Sequence, residues 1–242
     1  WWMARIPVSP TASGSEPEEV VLLHGLGRTW RSMRPVARAL ERAGFVTYNI
    51  GYPSLRHRLP ALAAIVEERI ARARQARHGA APVVARRDAG DVPLHFVGHS
   101  LGCILIRYLL AHRGLRAGRV VMLTPPNQGA RLADFLQPYL SWLLRPLPDL
   151  SVGGGIPAGL ACPKDVEIGL IAAGRDRTVK RHETRLEGAA DSAVVPSGHS
   201  FIMMRRDAQD LTVRFLRTGR FSDESPSGTR SQGSGASKPA RP

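Results

Sequence analysis

The sequence predicts an α/β protein, built as a compact, doubly wound and mostly parallel sheet of about six strands with helices on both faces. Short apolar runs alternate along the chain with segments of helical periodicity, which is typical of strands joined by crossover helices. Several runs are apolar at nearly every position, as expected for strands that are buried on both faces. A length of 242 residues suits a single domain with one such sheet.

Six runs are predicted to be strands because they are apolar or β-branched and are bounded by glycine, proline or polar residues. They span residues 20–24, 45–50, 92–97, 119–123, 166–172 and 193–195. Apolar residues at helical spacing predict the intervening helices. The residues that mark the helices are Trp30, Met33, Ala37 and Leu40, then Leu62, Ile65, Val66, Arg69, Ile70 and Ala73, then Ile104, Leu105, Tyr108 and Leu109, and finally Ile202, Ala208, Leu211 and Phe215, which are expected to face inward.

Composition divides the chain into a folded domain and two looser ends. Residues 1–18 are predicted to be a loose leader, and residues 218–242, with almost no apolar side chain, a disordered tail. The folded domain is then 19–217. Within it, residues 131–160 fit neither pattern well, and their apolar side chains either form a lid-like excursion over the top edge of the sheet or pack on the sheet.

The chain is strongly basic, with 34 Lys and Arg against 20 Asp and Glu and a net charge of +14. Nucleic acid is not expected as a partner, because the arginines are spread along the chain without interleaved aromatics and no nucleic-acid-binding motif accompanies them. A basic surface does favour weak contact with anionic membrane surfaces. No run of about 20 apolar residues predicts a membrane span.

Cysteine usage and the N-terminal segment bear on the compartment. Two cysteines cannot build a disulfide framework, and Cys103 is predicted to pack as a small hydrophobe in a core helix. No signal peptide is visible near Trp1, so a cytoplasmic location is slightly favoured, although a chain that does not begin with Met leaves the start open. The oligomeric state is not indicated.

The motif that carries chemistry is Gly98-His99-Ser100-Leu101-Gly102, a G-x-S-x-G sequence that directly follows a predicted strand and opens a predicted helix. In a nucleophile elbow the serine takes a strained backbone conformation, and side chains at the two glycine positions would collide with neighbouring backbone. The alternative is a glycine-rich turn without catalysis. The strand before the motif and the helix after it favour Ser100 as a nucleophile.

A serine nucleophile needs a base and a group that orients the base. Because sites in open α/β sheets gather at the carboxyl ends of the strands, such residues should follow a strand. Of eight histidines, His199 lies downstream of the motif and follows the last predicted strand. Asp176 follows the fifth strand, whereas Asp165 and Asp191 precede strands; Asp176 could also be a surface turn residue paired with a neighbouring arginine. Asp134 and Asp149 are outside candidates.

The oxyanion of a tetrahedral intermediate needs two hydrogen-bond donors. The amide of Leu101 follows the nucleophile and lies at a helix N-terminus, where the dipole favours negative charge. The second donor is expected in the loop after the first strand, and the amide of Leu26 is the candidate because the adjacent glycines let the backbone approach a substrate. His24 is expected to be a structural hydrogen-bonding residue.

Several motifs in order resemble the small bacterial lipase and esterase branch of the α/β-hydrolase superfamily. They are residues 20–29 (VVLLHGLGRT), 52–54 (YPS), 98–102 (GHSLG), 124–129 (TPPNQG) and 195–201 (VPSGHSF). The resemblance covers roughly residues 19–217 and implies an α/β-hydrolase catalytic domain. It implies Ser100, Asp176 and His199 as the triad and Leu26 and Leu101 as the oxyanion positions.

The resemblance implies a serine hydrolase that cleaves carboxylic esters, an esterase or lipase of lipid metabolism acting on a small-molecule or lipid ester. No metal and no organic cofactor are expected. A thioesterase, an amidase or an acyltransferase would share the same residues, and a non-catalytic lipid-binding protein could share the fold. Dehalogenase and epoxide-hydrolase relatives are disfavoured, because they carry Asp at the position of Ser100.

Overall fold

The computed structural model describes residues 17–79, 94–129, 144–151, 156–160 and 165–222. Six strands form one sheet in which every pair of neighbours is parallel, and the order across the sheet is β2-β1-β3-β4-β5-β6. The strands are β1 (Glu19–Leu23), β2 (Val46–Ile50), β3 (Leu94–His99), β4 (Arg119–Leu123), β5 (Glu167–Ala173) and β6 (Asp191–Val195). The predicted α/β fold class is confirmed.

The strand order reverses direction once, between β1 and β3. From β1 the chain moves to the edge strand β2, and it then returns to pair β3 with the other side of β1. At such a switch point the loops leaving the two strands diverge to opposite faces, which opens a crevice at the carboxyl edge of the sheet. The loops after β1 and β3 therefore border the expected position of a site.

Helices cover both faces of the sheet. They are α1 (Arg34–Arg42), α2 (Leu59–His78), α3 (Leu101–His112), a short α4 (Ile156–Gly159) and α5 (Arg206–Thr218), with 3-10 turns at Trp30–Met33, Leu147–Leu150 and His199–Met204. One buried cluster joins α2 and α3 to one face, and a second joins α1 and α5 to the other. None of the helices within the described residues is both long enough and apolar enough to span a membrane.

Several element boundaries differ from the sequence-based expectation. β3 begins at Leu94 and extends through His99, because parallel pairing with β4 continues to that residue, and residues 92–93 lie outside the described residues. The last helix begins at Arg206, so Ile202 reaches the core from a preceding 3-10 turn. Trp30 was expected in the core but is exposed, since its own 3-10 turn buries only Met33.

The chain stays ordered past residue 217 because Phe221 packs beside Phe215 and its amide donates to a carboxylate oxygen of Asp191. Residues 223–242, like 1–16, lie outside the described residues, as do Cys162 and most of the segment 131–160. Cys103 is buried in α3, as predicted, and burial raises the pKa of its thiol. It therefore packs as a neutral hydrophobe.

Candidate active site

Ser100 lies in the sharp turn between β3 and α3 and has a strained backbone. Its φ is 51° and its ψ is −116°, a conformation that residues with a side chain rarely adopt. The turn is held because the amide of Ser100 donates to the carbonyl of Leu123 on β4, at 3.0 Å, and its carbonyl accepts from the amide of Cys103. The hydroxyl consequently projects at the carboxyl edge of the sheet.

The two glycines of the motif are required by packing. A Cβ at Gly102 would lie 2.4 Å from the carbonyl oxygen of Leu23 on β1. A Cβ at Gly98 would lie 2.7 Å from the backbone nitrogen of Cys103. Both distances are far below van der Waals contact and both involve backbone, which cannot move aside without disrupting a strand or a helix. The predicted steric reason for both glycines is confirmed.

His199 and Asp176 form a hydrogen-bonded chain with Ser100. Nε2 of His199 lies 3.0 Å from Oγ of Ser100, and Nδ1 lies 2.7 Å from Oδ2 of Asp176. An ionised carboxylate only accepts, so Nδ1 carries the proton and Nε2 can accept from the serine hydroxyl. The side chains of His199 and Asp176 are 11% and 2% exposed. The arrangement can accept a proton from Ser100 and stabilise the imidazolium that results.

Asp176 is held by the turn in which it lies. Its Oδ1 accepts hydrogen bonds from the amides of Thr178 and Val179, at 2.8 and 2.9 Å, which leaves Oδ2 directed at His199. The loop before it pairs with the loop before His199, because the amide of Arg175 donates to the carbonyl of Ser197 at 2.9 Å. The short connection after β5 therefore places the carboxylate of Asp176 within hydrogen-bonding distance of the imidazole of His199.

His99 has a role that its position within the elbow motif did not predict. Its Nε2 lies 3.0 Å from the backbone carbonyl of His199, and since a carbonyl only accepts, Nε2 carries the proton. Burial, together with the charge that the adjacent His199 can carry, lowers the pKa of His99 to about 3. His99 is therefore neutral near pH 7 and ties β3 to the turn that carries His199.

The loop after β1 packs closely against His99. A Cβ on Gly25 would lie 2.7 Å from Nδ1 of His99, so only glycine fits there. The amide of Gly27 donates to Oγ of Ser54, and the amide of Arg28 donates to the carbonyl of Gly25. These bonds fix the loop that presents the amide of Leu26. A role for Ser54 was not predicted, although it belongs to the quoted 52–54 motif.

Leu101 is the first residue of α3, and helix geometry leaves the first amides of a helix without intrahelical partners. Its amide is therefore available to an anion beside Ser100.

His24, expected to be structural, bonds through Nδ1 to the carbonyl of Gly25 and through Nε2 to the amide of Tyr52. Its ring stacks on that of Tyr52 at 4.1 Å, and burial lowers its pKa, so it is a neutral support for the loop.

The other carboxylates considered have structural positions or lie elsewhere. Asp149 is buried, bonds to Arg58, and caps α2 by accepting from the amide of Leu59 at 2.7 Å. Asp191 begins β6, and Asp165 precedes β5, at the opposite edge of the sheet. Asp134 lies outside the described residues. Within the described ranges, no group of three or more His, Cys, Asp or Glu side chains could hold a metal ion.

Comparisons with known proteins agree with this architecture. Residues 20–165 match the family model described as "Alpha/beta hydrolase family". The sequence has no significant match among curated proteins.

Among solved structures, the lipase BlEst2 of Bacillus licheniformis in its mature form is similar at a TM-score of 0.59 and 16% identity, with 86% of this chain and 93% of that chain covered. A metagenomic carboxyl esterase is similar at a TM-score of 0.58 and 16% identity, with 82% of this chain and 71% of that chain covered. The enol-lactonase of Burkholderia xenovorans is similar at a TM-score of 0.52 and 16% identity, with 84% of this chain and 92% of that chain covered. At this identity the likeness is one of fold.

Proposed function

The chain belongs to the alpha/beta hydrolase family, and from that premise we propose that it is a serine hydrolase that cleaves carboxylic esters through an acyl-enzyme on Ser100. The single observation that supports this most is the chain of hydrogen bonds from the Ser100 hydroxyl through His199 to Asp176. An ester is the favoured substrate because solved proteins of the same fold are named as a lipase, a carboxyl esterase and an enol-lactonase.

In the first step, Oγ of Ser100 attacks the ester carbonyl while Nε2 of His199 takes the hydroxyl proton. The imidazolium is stabilised by Asp176, whose buried carboxylate faces Nδ1. Negative charge that develops on the carbonyl oxygen is received by the amides of Leu26 and Leu101. Collapse of the tetrahedral intermediate breaks the ester bond, and His199 returns its proton to the leaving alkoxide.

In the second step, the same imidazole takes a proton from water as the water oxygen attacks the acyl-enzyme. The second tetrahedral intermediate uses the same two amides. Its collapse releases a carboxylic acid and returns the proton to Oγ of Ser100. Each group is therefore used twice, and the reaction consumes only the ester and water.

The test is hydrolysis of p-nitrophenyl esters from acetate to palmitate, with a thioester of matched chain length as a second arm. We expect kcat/KM to fall by at least about 10³-fold in Ser100→Ala, since the nucleophile is lost and only binding and oxyanion stabilisation remain. A fluorophosphonate probe should add its mass to the wild type and leave Ser100→Ala unlabelled. Equal turnover by the two proteins would remove the proposal, and a faster thioester would reassign the substrate class.

A further inference from the structure

Exposed apolar side chains concentrate on two loops that flank the candidate active site. Within the described residues, four large hydrophobic side chains are exposed, and three of them belong to these loops: Trp30 at 40%, Phe201 at 62% and Met204 at 63%. Trp30 follows the loop of Leu26, and Phe201 and Met204 belong to the 3-10 turn that starts at His199. The fourth, Val194, lies on β6.

The two loops are neighbours in the fold. The ring of His99 lies between them, with Nδ1 against Gly25 and Nε2 bonded to the carbonyl of His199. Below the surface, Met33 from the first turn shares one buried cluster with Ile202 and Met203 from the second. Both turns therefore lie on the α1 and α5 side of the carboxyl edge, one on each side of the His99 ring.

The turn from His199 to Met204 is amphipathic. Ile202 and Met203 are buried, whereas Phe201 and Met204 project away from the same short turn. Burying either outward side chain would be favourable, because transfer of a large apolar side chain from water stabilises by about 1.5 to 3 kcal/mol. Both nevertheless remain exposed, so they are available to be buried against another surface.

Positive charge lies beside Trp30. Residues 25–34 contain three arginines and no Asp or Glu, whereas Arg205, beside the second turn, forms an ion pair with Asp207 at 2.8 Å. The ring of Trp30 lies 5.4 Å from the guanidinium carbon of Arg31 and 5.7 Å from that of Arg34. An aromatic ring beside cationic side chains is the combination that proteins place at the boundary between lipid headgroups and acyl chains.

We propose that Trp30, Phe201 and Met204, with Arg28, Arg31 and Arg34, form a docking surface for an anionic lipid membrane. The arginines contact the headgroups, and the three apolar side chains enter the acyl boundary. Docking in this way brings the mouth of the site to the membrane, where a lipid ester would be found. A polyanion without an apolar layer would satisfy the charges but would leave Phe201 and Met204 in water.

The experiment is cosedimentation of the full chain with phosphatidylcholine vesicles, with and without phosphatidylglycerol, at low and at high salt. It is carried out in the Ser100→Ala background, so that the readout is binding and not turnover and is independent of the proposed hydrolysis. We expect binding to the anionic vesicles at low salt, weaker binding at high salt and little binding to neutral vesicles. Lipid brominated on its acyl chains should quench the tryptophan fluorescence of the docked protein. This quenching should be lost in the variant Trp30→Phe.

Two double variants, each lacking two arginines, distinguish binding through the docking surface from binding through the net positive charge of the whole chain. Arg31→Gln with Arg34→Gln should weaken binding about 25-fold, at about fivefold for each charge removed near the surface. Arg116→Gln with Arg220→Gln removes the same charge from exposed positions at the amino edge of the sheet, before β4 and after α5. That control should bind nearly as the parent does.

The apolar pair is Phe201→Ser with Met204→Ser, for which we expect about tenfold or greater loss of binding. Val194→Ser is its control, since Val194 is similarly exposed but lines a cavity of ≈ 640 Å³ with Leu170 and Ala172 on the α2 and α3 side of the sheet. Unchanged binding in the apolar pair would mean that the arginines attract any polyanion and would overturn the proposal. Equal losses in the two arginine pairs would overturn it as well.

Discussion

The two edges of the sheet each hold a buried carboxylate beside a histidine and a hydroxyl, but the two clusters are built differently. At the amino edge, Glu19 accepts hydrogen bonds from Tyr48, from Nε of Arg74 at 2.8 Å and from Nε2 of His78 at 2.5 Å. Glu19 is thus surrounded by donors and has no direction left for a substrate. At the carboxyl edge, Oδ1 of Asp176 accepts from two backbone amides, and Oδ2 faces His199, which in turn faces a serine hydroxyl.

Backbone strain and charge distinguish the clusters further. Among the described residues, positive φ at non-glycine positions occurs at Ser100 and Thr124, both at the carboxyl edge where β3 and β4 end. At the amino edge, burial raises the pKa of Glu19, but hydrogen bonds from Tyr48 and His78 and the charge of Arg74 outweigh it and lower the pKa. The same kinds of functional group therefore stabilise the fold at one edge and lie beside a strained serine at the other.

The largest expected effect is on catalysis at the carboxyl edge. Asp176→Asn should lower kcat/KM by about three to four orders of magnitude, because an amide NH₂ facing Nδ1 favours the wrong imidazole tautomer. Its remaining oxygen can still accept from Thr178 and Val179, so the urea midpoint should change little. A variant that loses stability and keeps its activity would place Asp176 in the structural class with Glu19.

The opposite result is expected at the amino edge, where a substitution should lower stability and leave activity unchanged. Glu19→Gln should lower the free energy of unfolding by about 3 kcal/mol, because it leaves the largely buried guanidinium of Arg74 without its counter-charge. Urea denaturation measures this loss, and kcat/KM of the folded fraction should stay within about twofold of wild type. A large loss of kcat/KM in the folded variant would contradict the separation of the two clusters.

A smaller effect is expected where His99 positions His199. His99→Leu removes the donor to the carbonyl of His199, and we expect kcat to fall about tenfold with KM nearly unchanged. His99→Gln can present an N–H close to the position of Nε2, so it should recover most of the lost kcat. Equal kcat in the two variants would show that His99 only fills space.

The smallest effect is on acid stability. His99 binds a proton in the unfolded chain below its ordinary pKa of 6.5, but in the folded protein only near 3. The unfolded chain therefore binds more protons in this window, so stability falls as the pH is lowered below about 6.5. His99→Gln should lose about 1 kcal/mol less than wild type between about pH 7 and about pH 5.5 in urea titrations. Identical slopes would mean that the pKa of His99 is the same in the folded protein as in the unfolded chain.

Much of the fold and of the candidate site could be predicted because both depend on local patterns. The rule that functional residues follow parallel strands separated Asp176 from Asp165 and Asp191, and the structure brings Asp176 to His199 as that rule requires. Trp30 could not be placed in the same way. Its helical spacing suggested a core position, but a 3-10 turn has a different period and rotates it to the surface.

The sequence by itself determined the fold class, the strand, turn and helix around Ser100, and the need for glycine at 98 and 102, since these follow from periodicity and from sterics within a few residues. Only the tertiary structure decided that His99 holds His199, and that the turns carrying Trp30 and Phe201 lie on the same side of the sheet edge. These placements bring together residues about a hundred or more positions apart. They depend on how crossover connections stack the loops at one edge of the sheet, which no local pattern encodes.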